Sequence, residues 1–237
     1  MTKTTVLFDM DGTLVPFESE DFLRMYFGGI AKKLAPLGYD NPKKVVEDIW
    51  AGTAAMMKND GSRLNSEVFW EVFRAKNPDK PEAKPLCDEF YTKEFDEAKA
   101  CLKENRDMKP MITRLKNAGY DLILSTNAVF PQSAMLTRLK WINLGESDFS
   151  FITNYDNSTF CKPNPKYFTE IMEKRGKTAE ECVVVGNHIK EDIIPANLLG
   201  ITSFWVTDYP ENPDNTDASS FNQGSIKQAE EFLLNLA

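Results

Sequence analysis

Apolar residues recur along this chain at two different spacings, and the changes of spacing sort it into parts. In the second half, "LILS" (122–125), "FSFIT" (149–153), "CVVVG" (182–186) and "SFWVT" (203–207) are short apolar runs. Runs of that length without strict polar alternation read as strands buried on both faces, the habit of a parallel sheet. Between them the apolar positions fall at helical spacing. Met111, Ile112 and Leu115 form a stripe that opens after Pro110 and stops at Gly119. Leu136, Leu139 and Ile142 form another that ends at Gly145, and Phe168, Ile171 and Met172 follow Pro165 and end at Gly176. Proline near a helix start and glycine just past its end are the expected punctuation. This alternation predicts an α/β fold with right-handed crossovers.

The first half breaks the alternation. Residues 3–9, "KTTVLFD", read as a strand, but no second strand follows directly. Residues 17–105 look helical almost throughout, with Leu23, Tyr26, Phe27, Ile30 and Leu34 in one period, Val45, Val46, Ile49 and Trp50 in a second, and Val68, Phe69, Val72 and Phe73 in a third. The expected organisation is a parallel-sheet core formed by residues 1–16 and 106–237, with an all-helical cap, residues 17–105, inserted between them. Pro16 and "KENRDMKP" (103–110) are the expected hinge segments, and the polar tract "DYPENPDNTDASSFNQGS" (208–225) reads as a loop before a last helix.

Composition narrows the function. Across 237 residues, 42% are hydrophobic and 27% charged, a balance sufficient for a sizeable core. The net charge of −8 comes from 36 acidic against 28 basic residues and is spread along the chain. No basic block appears, which argues against nucleic acid or an anionic membrane as the main partner. The N-terminal apolar run is too short and too soon interrupted by charge for a signal peptide, and no window approaches a membrane span, so a cytoplasmic setting is expected. Four cysteines without CxxC spacing are expected to be reduced thiols.

The chemistry-bearing residues gather at strand ends. "FDMDGTL" places Asp9 and Asp11 two residues apart at the carboxyl end of the first strand, where open α/β sheets bind ligands. Alternation would set both carboxylates on one face, and their repulsion is relieved by a cation. "LILSTN" ends a later strand with Ser125, Thr126 and Asn127; "CKPNP" sets Lys162 at a helix entry; "VVVGNHIKEDI" ends another strand with Glu191 and Asp192. Each alone is weak, since hydroxyls at strand ends often cap helices and a lysine before proline is often solvated. Their order and spacing together are difficult to produce by chance.

On those segments the whole chain resembles the haloacid dehalogenase superfamily, in its phosphatase branch with a helical cap inserted after the first motif. "DMDGT", "STN", Lys162 and "GNHIKED" look like its four motifs in order. The resemblance implies a Rossmann-like core and a Mg²⁺-dependent phosphomonoesterase acting on a small phosphorylated metabolite. By that resemblance Asp9 is the nucleophile that becomes an aspartyl-phosphate. Asp11 protonates the leaving oxygen and later activates water. Thr126 contacts the phosphoryl group, with Ser125 the competing hydroxyl, and Met10 and Asn127 belong to the same phosphate site. Lys162 offsets negative charge beside Asp9. Mg²⁺ is implied to lie between Asp9, the Asp11 carbonyl and Asp192. Dehalogenases of the superfamily typically lack the second acid of the first motif, so Asp11 favours phosphoryl substrates. A phosphomutase, or an impaired relative that only binds phosphorylated ligands or partner proteins, are the alternatives.

The fourth motif departs from the family pattern. Where relatives carry an acid right after the glycine or one position later, this chain has Asn187 and His188, the single histidine of the sequence. His188 has three readings: a capping or solvent-facing side chain, a partner of Asp192 or of a metal-bound water, and a direct ligand of a softer metal than Mg²⁺. Loss of one acid predicts weak Mg²⁺ binding. From the cap, Phe17, Glu18, Trp50 and, in the turn "KNDGSR", Lys58 and Arg63 are candidates to face the substrate, Arg63 through a second anionic group.

Overall fold

A computed structural model describes residues 3–236. Among them six strands form one fully parallel sheet in the order β3-β2-β1-β4-β5-β6. The strands are β1 (Thr5–Phe8), β2 (Asp121–Leu124), β3 (Phe151–Ile152), β4 (Cys182–Gly186), β5 (Thr202–Val206) and β6 (Asn222–Gly224). At the centre, Val6 of β1 lies opposite Leu122 of β2 and Val183 of β4, and Phe8 opposite Leu124 and Val185. These side chains enter a core shared with the helices of residues 19–101, whereas Leu7, Ile123 and Val184 point to the other face, onto Tyr167, Phe168 and Ile171. Burial on both faces is why the strands read as continuous apolar runs.

Between β1 and β2 the chain forms α1 (Ser19–Leu34), α2 (Pro42–Met57), α3 (Asn65–Lys76) and α4 (Lys84–Thr92), followed by a 3₁₀ segment, Glu94–Cys101. The strand–helix alternation then begins, with α5 (Lys109–Asn117), α6 (Gln132–Lys140), α7 (Lys166–Arg175), α8 (Ile194–Leu198) and α9 (Ile226–Leu236). Gly176 ends α7 in the left-handed region at φ 61°, a conformation that favours glycine. The two strands of chain entering and leaving the helical insertion are joined, Lys103 N donating to Pro16 O at 2.9 Å.

The sequence reading differs from the structure mainly at β6, which lies inside the polar tract expected to be a loop. Asn222 and Gln223 are exposed and pair with Phe204 and Trp205 through the backbone. An edge strand that buries no side chains leaves no apolar period to read.

Chain order places β2 and β3 on one side of β1, and β4, β5 and β6 on the other. The carboxyl ends of β1 and β4 therefore flank the point where the order reverses, the place where open α/β sheets form a crevice.

Candidate functional site

After β1 the backbone turns sharply: Leu14 N and Val15 N both donate to Met10 O, at 3.0 and 2.9 Å. Gly12 makes the turn at φ 75°, and a Cβ there would lie 2.2 Å from Asn187 Nδ2. Only glycine lets this loop meet the loop after β4 so closely. The turn leaves Asp9 and Asp11 at the mouth of a cavity of about 300 Å³ that Thr126, Asn127, Glu191 and Asp192 also line.

Lys162 ties the acids together. Its Nζ, almost wholly buried, donates to Asp9 Oδ1 at 2.9 Å and to Asp192 Oδ1 at 2.6 Å. Desolvation alone would lower the lysine, yet the Asp192 and Asp9 carboxylates outweigh it and hold the ammonium well above its ordinary value. Burial drives the Asp192 carboxyl upward against the pull of Lys162. The remaining oxygens are also held: Thr13 Oγ1 donates to Asp9 Oδ2 at 3.0 Å, and His188 N to Asp192 Oδ2 at 3.0 Å. Asp192 sits in a π-helical turn, Ile189–Ile193, and packs so tightly on β4 that a Cβ at Gly186 would come within 2.3 Å of its carboxyl.

Asp11 has a different environment. Its Oδ2 accepts from Nη1 of Arg138 on α6, while its Oδ1 is buried with no partner. Arg138 is 0% exposed and lies within 4.8, 5.3 and 5.9 Å of the Phe130, Phe22 and Phe95 rings. Burial raises the Asp11 carboxyl to about 6, with Arg138 opposing the rise and Asp9 adding to it. A carboxyl so placed exchanges a proton near neutral pH, the property a general acid or base needs.

The other expected residues separate into those that line the cavity and those that do not. Thr126 lines it, whereas Ser125 is fully buried and its hydroxyl has no partner. Met10 is buried in the core, so only its main chain is left for the loop. The Asn127 amide bonds the neighbouring loops, accepting from Lys162 N at 3.2 Å and donating to Glu191 Oε2 at 3.0 Å. Asn187 accepts from Thr13 Oγ1 at 3.2 Å and donates to Tyr209 O at 2.7 Å. His188 Nδ1 accepts from Lys190 N and Glu191 N at 3.2 and 3.3 Å, so the imidazole caps the π turn. Phe17 and Trp50 line the cavity, but Glu18 lies beside Lys103, Arg63 is paired with Glu71, and Lys58 does not line it either.

The donor set is chemically suited to a hard cation. Asp9 and Asp192 supply carboxylate oxygens and Asn187 a neutral amide oxygen, with no thiolate near. Among the described residues, no three acidic, histidine or cysteine side chains converge as a ready-made metal cage. Mg²⁺ does not require one, since it commonly takes one or two carboxylates and keeps several waters.

The haloacid dehalogenase-like hydrolase family model matches residues 3–200. The chain belongs to that family. It is 24% identical over 224 residues to a ribulose-1,5-bisphosphate 5-phosphatase of Halopiger xanaduensis, covering 91% of this chain and 89% of that one. It is 26% identical over 203 residues to a phosphoglycolate phosphatase of Agrobacterium fabrum, covering 85% and 79%. Its fold resembles that of a 2-haloacid dehalogenase from Pseudomonas syringae, with a TM-score of 0.63 at 21% identity over 99% of this chain and all of the other. As a haloacid dehalogenase-like hydrolase the chain is an enzyme with a Rossmann-like parallel sheet.

Two residues of this candidate site had no role in the sequence reading. Thr13 stood in the first motif without one, although the Gly-Thr after two acids was the available signal. Arg138 left none: it is a polar residue of an amphipathic helix until the fold buries it under Asp11.

Proposed function

We propose that this hydrolase is a Mg²⁺-dependent phosphomonoesterase that works through a phosphoaspartate on Asp9. The observation that carries the reading is the Lys162 ammonium held between Asp9 and Asp192 at 2.9 and 2.6 Å, beside the separately protonatable Asp11. A buried ammonium there lowers the repulsion that an anionic phosphoryl group meets on approaching a carboxylate. Asp9 attacks phosphorus; the ester oxygen leaves as an alcohol, taking the proton of Asp11. Asp11, now ionised, accepts a proton from water, which attacks the phosphoaspartate and releases inorganic phosphate and the free Asp9 carboxylate. Thr126 and the main chain of the loops at Met10 and Asn127 position the phosphoryl oxygens. Asp9, Asp192 and the Asp11 carbonyl are the groups that would hold Mg²⁺, which when bound supplies charge neutralisation at the phosphoryl group. The helical insertion, residues 17–105, acts as a cap over a core of residues 1–16 and 106–237.

Phosphate release from a panel of small phosphomonoesters, across a Mg²⁺ series and with Asp9→Asn as control, tests this. Turnover that vanishes in the control is the expected result. Turnover that persists in Asp9→Asn, or its absence with Mg²⁺, Mn²⁺ and Co²⁺ alike, sinks it. The second outcome would favour a phosphate-ligand or partner-binding relative, a reading to which the neutral Asn187 contributes.

A further inference from the structure

The wall that the insertion contributes to the catalytic cavity is mostly apolar. Phe17, Phe22, Leu23, Trp50 and Met57 form it with two hydroxyls, Ser19 bonded to Glu211 and Thr53 bonded to Ile49 O, and no lysine or arginine is among the described residues that line the cavity. Lys162 and Arg138 are both buried behind the acids they hold. Among the described lining residues the titratable side chains beyond Asp9, Asp11 and Asp192 are Glu191, Glu211 and His188. Trp50 and Met57 are 46% and 40% exposed, two of the few large apolar side chains left open to water, and both stand on this wall.

Leu23, Trp50, Thr53, Val129 and Phe130 also line a second cavity of about 80 Å³ between the helical insertion and the core, where Tyr155 joins them. Its deeper walls include Ile30, Ile49, Phe69 and Phe73, with no charged side chain among its described lining residues. It is roughly half the ~150 Å³ of an apolar cavity able to hold benzene, so it suits a short aliphatic chain. The two spaces are adjacent, with those five residues forming walls of both.

Resting on the phosphomonoesterase reading, we propose that the substrate is the phosphate ester of a short, uncharged, apolar alcohol, whose chain runs from the catalytic cavity into the adjacent one. Each methylene that leaves water there adds affinity. A second anionic group on the same substrate would find no cation in the wall and would face Glu191 and Glu211 instead. The two relatives above are named for a bisphosphate and a phosphorylated carboxylate, so on this proposal the chain departs from both in substrate chemistry.

Calorimetry with three non-hydrolysable probes tests this without relying on turnover: methylphosphonate, n-butylphosphonate and 3-phosphonopropionate, each with Mg²⁺ present. n-Butylphosphonate is expected to bind roughly 10-fold or more tightly than either other probe. Leu23→Trp, which enlarges a side chain in the wall of both cavities, should bring the butyl-to-methyl ratio towards one. Thr53→Arg should raise the affinity for 3-phosphonopropionate. Equal or tighter binding of 3-phosphonopropionate by the unaltered protein overturns the proposal, as does a butyl preference that survives Leu23→Trp in a protein of unchanged circular dichroism. Phosphate release from n-butyl phosphate is measured separately. Tight butyl binding without turnover upholds the apolar site and counts against the phosphomonoesterase reading alone.

Discussion

Asp9 and Asp11 are two residues apart and each meets a cation, yet they differ in how fully they are held, and that contrast is the basis of the proposed division of labour. Asp9 has both oxygens engaged, by an ammonium and a hydroxyl; Asp11 has one oxygen on the Arg138 guanidinium and the other unpartnered, with its carboxyl raised to about 6. Replacing Asp11 with Asn should lower kcat/KM by about 10²- to 10⁴-fold with folding intact, as expected for loss of a general acid and base. Arg138→Met tests the electrostatics from the other side. The guanidinium opposes the rise of the Asp11 carboxyl, so its removal lets that pKa climb further. A carboxyl raised in the folded state contributes stability at low pH that is lost as pH rises through its folded pKa. The variant's thermal midpoint should therefore fall short of the parent's little at pH 5 and most at pH 8, where an ionised, unpaired Asp11 costs about 3 kcal/mol. A deficit independent of pH would mean that Arg138 contributes only packing. Asn187→Asp should tighten Mg²⁺ binding by adding a carboxylate. Because Asn187 donates to Tyr209 O at 2.7 Å, the same change should lower the metal-free thermal midpoint, and Mg²⁺ should restore it. Calorimetric titration together with melting curves would separate the two effects.

At the scale of elements, the site depends on how β4 ends. Gly186 lets the π turn fold back so that Asp192 lies against the strand, while Trp205 Nε1 on β5 holds Asn187 O at 2.7 Å from the other side. Gly186→Ala should lower stability by about 1–3 kcal/mol through overpacking and lower kcat/KM by displacing Asp192. Normal activity in a destabilised variant would show that the Asp192 position is not critical. The strands and helices around this turn were legible because their apolar periods and their proline and glycine boundaries are local signals. The strand β6 was not, since its pairing rests on backbone groups and one amide, Asn222 Nδ2 donating to Ser203 O at 3.0 Å, and buries no apolar side chain. The π turn itself was not, although capping was among the sequence readings of His188: its Nδ1 accepts from two backbone N–H groups, and where the chain turns to present them is not a local signal.

Across the whole molecule, the helical insertion and one face of the sheet share a single buried cluster in which Phe22, Phe95, Phe130 and Trp141 meet. Polar contacts reinforce the joint: Asn65 N donates to Ser158 O and Ser66 N to Tyr155 O, both at 2.9 Å, and Trp141 Nε1 donates to Asp96 Oδ1 at 2.8 Å. A joint this apolar and this well bonded should make the protein unfold in one calorimetric transition with equal van't Hoff and calorimetric enthalpies. Two resolved transitions would show that the insertion folds independently. By itself, the sequence determined the α/β class, the placing of a helical segment between the first two strands, and the acids, hydroxyls and lysine at the strand ends, because period and motif are properties of neighbouring residues. Only the tertiary structure decided that Arg138 lies buried against Asp11, that Asn187 is held as an amide, and that Arg63 pairs with Glu71 while aromatic and aliphatic side chains line the cavity. Those outcomes depend on which residues far apart in the chain lose water together, and no local pattern records that.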